Sequence, residues 1–320
     1  MYLYLDVFED FVCEMCGTCC RNDWVITVDQ ESYLRNEKWF TERGGSEEFH
    51  QAFVPLAKPG LGEYAAIAKH SSGVCCFLEP SNLCRLHREA GHDHLDGVCK
   101  TFPRYPMNTS RGVELTLSLL CPAAFKKLLR VEPLVIVRNN RPPCQQPLTD
   151  YAVEAFPEQQ SRYQLLHYYF ELETHFIDIM QCRSMSLEER LEFLAAAIQR
   201  ILNIPCDEEI GRSLHCALTE NYLRMDETSS FSPVGHCTPE IVLEHFFVNF
   251  IFKKPFYIYG LQKTMRLLQS IWQKIRAARQ TAATTADDME ITGKLIVDIE
   301  LQYNHNHSRF LELFEAGGEK

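Results

Sequence analysis

Cys13, Cys16, Cys19 and Cys20 place four thiols within eight residues, in the run Cys13-Glu14-Met15-Cys16-Gly17-Thr18-Cys19-Cys20. Cys-x-x-Cys spacing lets two sulfurs converge on one metal while the residues between them turn the backbone. Gly17 suits the tight point of such a knuckle, because glycine adopts positive φ cheaply and its N–H can point at a sulfur. Adjacent Cys19 and Cys20 tend to point different ways, so they suit a larger cluster or two sites better than one small ion. A disulfide knot is the alternative. The spacing is of the metal-binding kind and no secretion signal precedes it, so metal or cluster binding is the expectation.

The chain has 14 cysteines. Cys13, Cys16, Cys19, Cys20, Cys75, Cys76, Cys84, Cys99 and Cys121 all precede residue 122, and chemistry is to be sought among them. Cys144, Cys182, Cys206, Cys216 and Cys237 are scattered singly and read as small apolar filler. Asp6, Glu9 and Asp10 occupy the first residues, with no Lys or Arg before Arg21, so the basic start of a secretory signal is missing. No uncharged apolar run reaches the roughly 18 residues of a transmembrane helix. The nearest, Ile241 to Leu261, is broken by Glu244, His245, Asn249, Lys253, Lys254 and Pro255. The expected compartment is the cytoplasm, where thiols stay reduced and so many cysteines need a reason other than disulfides.

Over 320 residues, 46% hydrophobic and 23% charged residues describe a globular chain of one large or two ordinary domains. The net charge of −11 argues against nucleic acid as the main partner and is compatible with a basic protein substrate.

The elements that must position the thiols follow from the chain pattern. Trp24 to Val28 and Val113 to Leu119 read as strands, and Leu134 to Val137 as a third apolar run. Asn36 to Gly62 reads as partly helical and then loop. Leu86 to His94 reads as a short helix ending near Gly91. Cys99 to Pro106 reads as a compact segment stiffened by proline, and Pro122 as the first turn of a helix reaching Leu129. From about Tyr151 the pattern turns helical. Ser186 with Glu189 forms a capping box before the stripe Leu187, Leu191, Leu194, Ile198 and Leu202. Ile210, Leu214, Leu218 and Tyr222 form another stripe. Thr238-Pro239 is an N-cap followed by proline at the first helical position. Leu261, Met265, Leu268, Trp272 and Ile275 mark a long helix, and Ile291, Leu295, Ile299 and Tyr303 a last one. Gln280 to Asp288 reads as a flexible link between these two. The expected fold is mainly α: a small, strand-poor, cysteine-rich domain over 1–150 and an α-helical domain over 151–320. No Gly-x-Gly-x-x-Gly follows a strand, so no doubly wound sheet is expected.

Phe11-x-Cys13-x-x-Cys16-Gly17-x-Cys19-Cys20 with Trp24, then Cys75-x-Phe77-Leu78, Asn82-Leu83-Cys84, Cys99-Lys100-Thr101-Phe102-Pro103-Arg104 and Leu117 to Ala124 resemble, in that order, the flagellin lysine-N-methylases. The likeness extends to Val248 through Lys253 and to Asn304-His305-Asn306, although only the cysteine half is specific. Cys76 departs from it, standing where the family usually has proline. The resemblance implies methyl transfer from S-adenosylmethionine to lysines of flagellin before export, with a [4Fe–4S] cluster as cofactor. It implies Cys13, Cys16, Cys19, Cys20, Cys75, Cys84, Cys99 and Cys121 as cluster candidates. Eight thiols exceed the four corners of one cubane, so some must be structural or bind elsewhere.

Methylating a lysine requires its amine, pKa near 10.4, to lose a proton and to lie in line with an already activated methyl. His87, His92 and His94, which lie between cysteines, are candidate bases, with polar surface as the plainer role. Arg104, held between Pro103 and Pro106, can take the cofactor's carboxylate with its bidentate fork, or can form a structural ion pair. The rival reading is a non-enzymatic protein in which zinc or iron organises an interaction module. Colour separates the metals: iron–sulfur protein is brown and zinc protein colourless. His305 and His307 read as a solvated tail.

Overall fold

The computed structural model describes residues 1–9, 11–22, 24–60, 62–143, 153–155, 157–227 and 235–305, with only the backbone at 153–155 and 303–305. Asp10, Cys144, Asn306 and His307 lie outside the described residues, as does the His305 side chain.

The strands are β1 (Tyr2–Leu5), β2 (Thr27–Val28), β3 (Phe53–Pro55), β4 (Ala65–Ile67), β5 (Arg104–Thr109), β6 (Gly112–Leu117), β7 (Ile136–Asn139) and β8 (Val153–Ala155). The helices are α1 (Thr18–Arg21), α2 (Gln30–Thr41), α3 (Ser46–Ala52), α4 (Arg85–Ala90), α5 (Gly97–Thr101), α6 (Pro122–Lys126), α7 (Tyr169–Met180), α8 (Leu187–Leu202), α9 (Ile210–Glu227), α10 (Pro239–Phe252), α11 (Pro255–Ile258), α12 (Leu261–Arg279) and α13 (Thr285–His305). The fold is mainly α with small sheets. One sheet runs β7-β1-β6-β5-β8 and the other β2-β4-β3. The larger is mixed: β1 lies parallel to β6 and β5 to β8, while β1–β7 and β5–β6 are antiparallel. It is therefore not the doubly wound kind.

Several local signals act as read. Ser186 and Glu189 form the capping box of α8, the Thr238 side chain accepts from Ile241 N at the start of α10, and Pro122 opens α6. Others differ. The strand expected from Trp24 shrinks to β2, with Ile26 O still accepting from Ile67 N at 2.9 Å, while the Trp24 and Ile26 side chains are buried in the aromatic cluster. The segment ending at Pro106 becomes β5, whose proline sits opposite Leu115. The helix at Pro122 stops at Lys126 and continues only as turns towards Leu129. The expected link at Gln280 narrows, since Thr284 caps α13 by accepting from Asp287 N. Cys206 and Cys216 are exposed rather than packed, whereas Cys182 and Cys237 are half-buried against the core.

Helix α10 is predominantly apolar and buried on all sides except at Glu240, as a central core helix should be. Its polar side chains reach outward to specific partners. Asn249 Nδ2 donates to Leu117 O at 3.1 Å, Thr116 donates to Asn249 Oδ1, and Leu128 O lies 2.8 Å from His245 Nδ1. Glu244 is held by Arg183 and Arg190. The Asn249 bonds fasten the larger sheet to the helical core, which also takes in Leu3, Leu5, Leu119 and Leu134. Trp24, Phe40, Phe49, Phe53 and Phe77 build a separate aromatic core beneath the cysteines. Among the described residues no helix is long and apolar enough to cross a membrane.

Candidate functional site

The knuckle turns at Gly17, whose φ is +70°. A Cβ there would stand 2.7 Å from Arg21 Nη1 and 3.2 Å from Leu78 Cδ1, tips of side chains that can shift, so it is the backbone conformation that favours glycine. Helix α1 starts at once, with Cys20 N donating to Gly17 O at 3.1 Å. Arg21 stitches the turn from outside: it donates to Cys16 O at 2.8 Å and to Asn82 Oδ1. Met15 N points at Cys13 Sγ, 3.4 Å away.

The later cysteines come to the knuckle through backbone contacts. Cys75 N donates to Cys20 O at 2.8 Å, while Cys75 bridges Lys69 and Cys84 bridges Leu78. Cys84 is the N-cap of α4 and Cys121 the N-cap of α6, so amides of the first helical turn face their sulfurs: Leu86 and His87 for Cys84, Ala123 and Ala124 for Cys121. A helix start is where a thiolate is best held. Burial outweighs those amides and pushes the Cys84 and Cys121 thiols up, and burial raises Cys99 as well.

Electrostatic contact divides the thiols into two sets. Cys19 and Cys20 have their sulfurs 3.9 Å apart, Cys75 is in contact with Cys20, and Cys84 and Cys99 are within electrostatic reach of Cys75 and Cys19. Cys121 is instead within reach of Cys13 and Cys16. The knuckle is thus split between Cys16 and Cys19. In the first set, a hydrogen bond from the Cys20 thiol lowers Cys19 to about 7. Thiol hydrogen bonds from Cys20 and then Cys76 hold Cys75 well below the ordinary thiol range, with Lys69 adding to the effect. Cys20 and Cys76, as the donors, are pushed up. Cys76 stands where the resemblance leads one to expect proline, beside Cys75 in the chain.

Among the described residues no three Cys, His, Asp or Glu side chains converge tightly enough, as they stand, to hold one metal ion. The donor set nevertheless suits a thiolate-bound centre. Five partly or fully buried thiols from four chain segments lie within electrostatic reach of one another, in the cluster that holds the Trp24–Phe102 ring pair, and backbone amides face two of them. The Cys19–Cys20 separation of 3.9 Å also approaches the ~3.8 Å edge of a tetrahedral zinc–thiolate site with Zn–S near 2.3 Å.

The candidate bases part company. His87 and His92 face each other with ring centroids 5.8 Å apart. Burial, then the neighbouring His87, lowers His92, and Lys100 and Arg104 add in the same direction. His94 turns away, with Nδ1 3.1 Å from Asn36 Oδ1 and its ring 5.8 Å from Trp39. Burial, then Arg35, lowers it. Arg104 opens β5 with its guanidinium 5.5 Å from the Phe11 ring, and its buried Nε has no hydrogen-bond partner among the described residues. The structure thus brings His87, His92 and Arg104 into one neighbourhood and leaves His94 out of it.

Sequence reasoning missed the buried charges. Lys254 Nζ lies 2.5 Å from Glu173 and 2.7 Å from Glu114, and Arg111 reaches both carboxylates at 2.7 and 2.8 Å. Lys253 pairs with Glu300. The available signal was a lysine pair set directly after a predominantly apolar, buried helix, where exposed lysines are the less natural outcome. Lys254 also holds a left-handed backbone, φ +64°. A cleft of about 550 Å³ lies between α13 and the turn from Leu119 to Phe125, and ends at Thr18.

Comparison with known proteins gives three relevant matches. The chain is 27% identical over 144 residues to the lysine-N-methylases of Salmonella typhimurium and Salmonella choleraesuis, a match covering 44% of this chain and 34% of each relative. It is 27% identical over 116 residues to the flagellar biosynthetic protein FliU of Salmonella muenchen, covering 36% of this chain and 67% of the relative. The match thus spans about a third of the length of the two lysine-N-methylases. No protein-family model and no solved structure matches the chain.

Proposed function

We propose that the chain N-methylates lysine side chains of flagellin in the cytoplasm, with S-adenosylmethionine as methyl donor and an iron–sulfur cluster on the Cys19, Cys20, Cys75, Cys84 and Cys99 set. One observation carries the reading: thiols from four separate segments gather at one site in a chain similar to proteins named lysine-N-methylase.

The reaction forms an N–C bond from the lysine lone pair to the sulfonium methyl. The S–C bond breaks with its electrons left on sulfur as a thioether, and the nitrogen proton passes to a base. His92 suits that role because burial keeps it neutral near pH 7. Arg104, with an unpartnered Nε, suits the donor's carboxylate. A thiolate-held [4Fe–4S] cluster, when bound, supplies Lewis-acidic iron and a redox couple.

A second reading has one specific support. The 3.9 Å Cys19–Cys20 spacing is close to a zinc–thiolate edge, as expected for a non-enzymatic metal-organised module. The test is anaerobic reconstitution with iron and sulfide, then labelled S-adenosylmethionine and flagellin, with lysines read by mass spectrometry. Wild type is expected to be brown and to add whole methyl increments, and Cys19→Ala is expected to lose iron and transfer together. A colourless protein that binds zinc and transfers nothing would establish the second reading instead.

A further inference from the structure

We infer that the cleft between α13 and the Leu119–Phe125 turn seats the acceptor lysine, an assignment that rests on the lysine-methylation reading above. Its volume of about 550 Å³ lies in the usual range of binding pockets. Leu119, Leu120 and Phe125 form an apolar floor, with Val297 on α13 opposite them. The polar lining is sparse. Lys294 is neutralised by Glu290, 2.6 Å away, whereas exposed Asp298 makes no hydrogen bond or ion pair with the described residues.

That lining matches a lysine side chain, an apolar stem that ends in a cation. Asp298 draws the ammonium to the mouth, where its carboxylate favours the charged form; the apolar floor beyond it disfavours that form, which is the direction methylation needs. An adenosyl group would require several ring donors and acceptors to be paired, and the described lining offers few.

One contact joins the cleft to a thiol, and two further features fix its shape. Thr18, at its end, lies between Cys16 and Cys19, and its Oγ1 accepts from Cys16 Sγ at 3.2 Å. Glu300 of α13 accepts from Leu119 N at 3.3 Å, tying wall to floor. Gly293, in the interior of α13, faces the cleft where a Cβ would stand 3.2 Å from the Phe125 ring. Glycine is a poor residue for a helix interior, so its presence marks a face where a side chain is excluded.

The test compares wild type, Asp298→Lys and, as a control with the same charge change at an exposed site outside the cleft, Glu208→Lys. One arm measures methyl transfer to flagellin. Asp298→Lys is expected to raise KM for flagellin about tenfold with kcat and S-adenosylmethionine affinity little changed, while Glu208→Lys matches wild type. If wild type transfers methyl and Asp298→Lys keeps its KM, the cleft assignment is overturned while the methylase reading stands. The second arm needs no catalysis: binding of a lysine-bearing flagellin peptide by calorimetry. Binding that Asp298→Lys weakens and Glu208→Lys preserves supports the cleft even if transfer fails and the methylase reading falls. A peptide that does not bind, or binds all three proteins alike, overturns it.

Discussion

Lys253 Nζ lies 2.6 Å from Glu300 Oε1, with both side chains buried. Through its other oxygen, Glu300 accepts from Leu119 N and Ser118 Oγ. One carboxylate thus fastens α13 to the end of α10 and to the turn after β6. Glu300→Gln leaves the Lys253 charge buried and uncompensated, and the expected loss is about 3–5 kcal/mol of unfolding free energy in urea titrations. A loss under about 1 kcal/mol would mean that water reaches Lys253 and that the pair does not hold the helix.

The quartet of Lys254, Glu173, Glu114 and Arg111 balances two positive and two negative charges in the interior. Glu173→Leu should cost about 3–5 kcal/mol, because Lys254 loses one of its two carboxylates and Arg111 loses one as well. Adding Lys254→Met should recover part of that loss, since Arg111 and Glu114 still neutralise each other. Chemical denaturation of the two single variants and the double variant reads the coupling. Strict additivity would show that the groups do not act together.

His175 is buried in α7 and lowered to about 4, by burial first and by Arg200 second. Asn221 Nδ2 lies 3.0 Å from its Nε2 while Arg200 donates to Asn221 Oδ1, so Nε2 is the acceptor of a neutral ring. The unfolded chain therefore binds a proton that the folded one refuses. The full stability from this group is present above about pH 6.5 and falls away as pH drops towards 4. Near pH 4.5 the penalty is about 2.5 kcal/mol, and His175→Gln should remove that part of the pH dependence whatever it does to stability at neutral pH. Urea titrations at both pH values measure it, and an unchanged slope would count against a neutral His175.

The division of the thiols predicts unequal effects on metal content. Cys75→Ser and Cys84→Ser, on the larger set, should lose most of the bound iron and the brown colour. Cys13→Ser, exposed and in the other set, should keep them. Iron per chain after anaerobic reconstitution decides the point, and equal losses from all three would mean one shared site.

Much of the helical half was legible in the sequence because its signals are local. The Ser186–Glu189 box, Thr238 before Pro239 and the stripes at helical spacing are each decided within a few residues, and the structure carries them as α8, α10 and α12. The tight knuckle at Gly17 was legible for the same reason. Strands were less so. Tyr2–Leu5 becomes a central strand only because Val113 to Leu115 and Ile136 to Asn139 arrive on either side, and no window of sequence contains that pairing. The grouping of the thiols was equally hidden. The resemblance implied eight of them, but which of these lie near one another depends on where Cys75 and Cys121 are brought by the rest of the fold. Nothing in the local sequence marks Lys253, Lys254, Glu173 and Glu300 as buried. Burying an ion is tolerable only beside its counter-ion, and these partners lie 47 and 81 residues apart in the chain. Local chemistry therefore determined the helices and the turn of the knuckle. Only tertiary contact decided which charges are buried, which sulfurs meet and where the cleft opens.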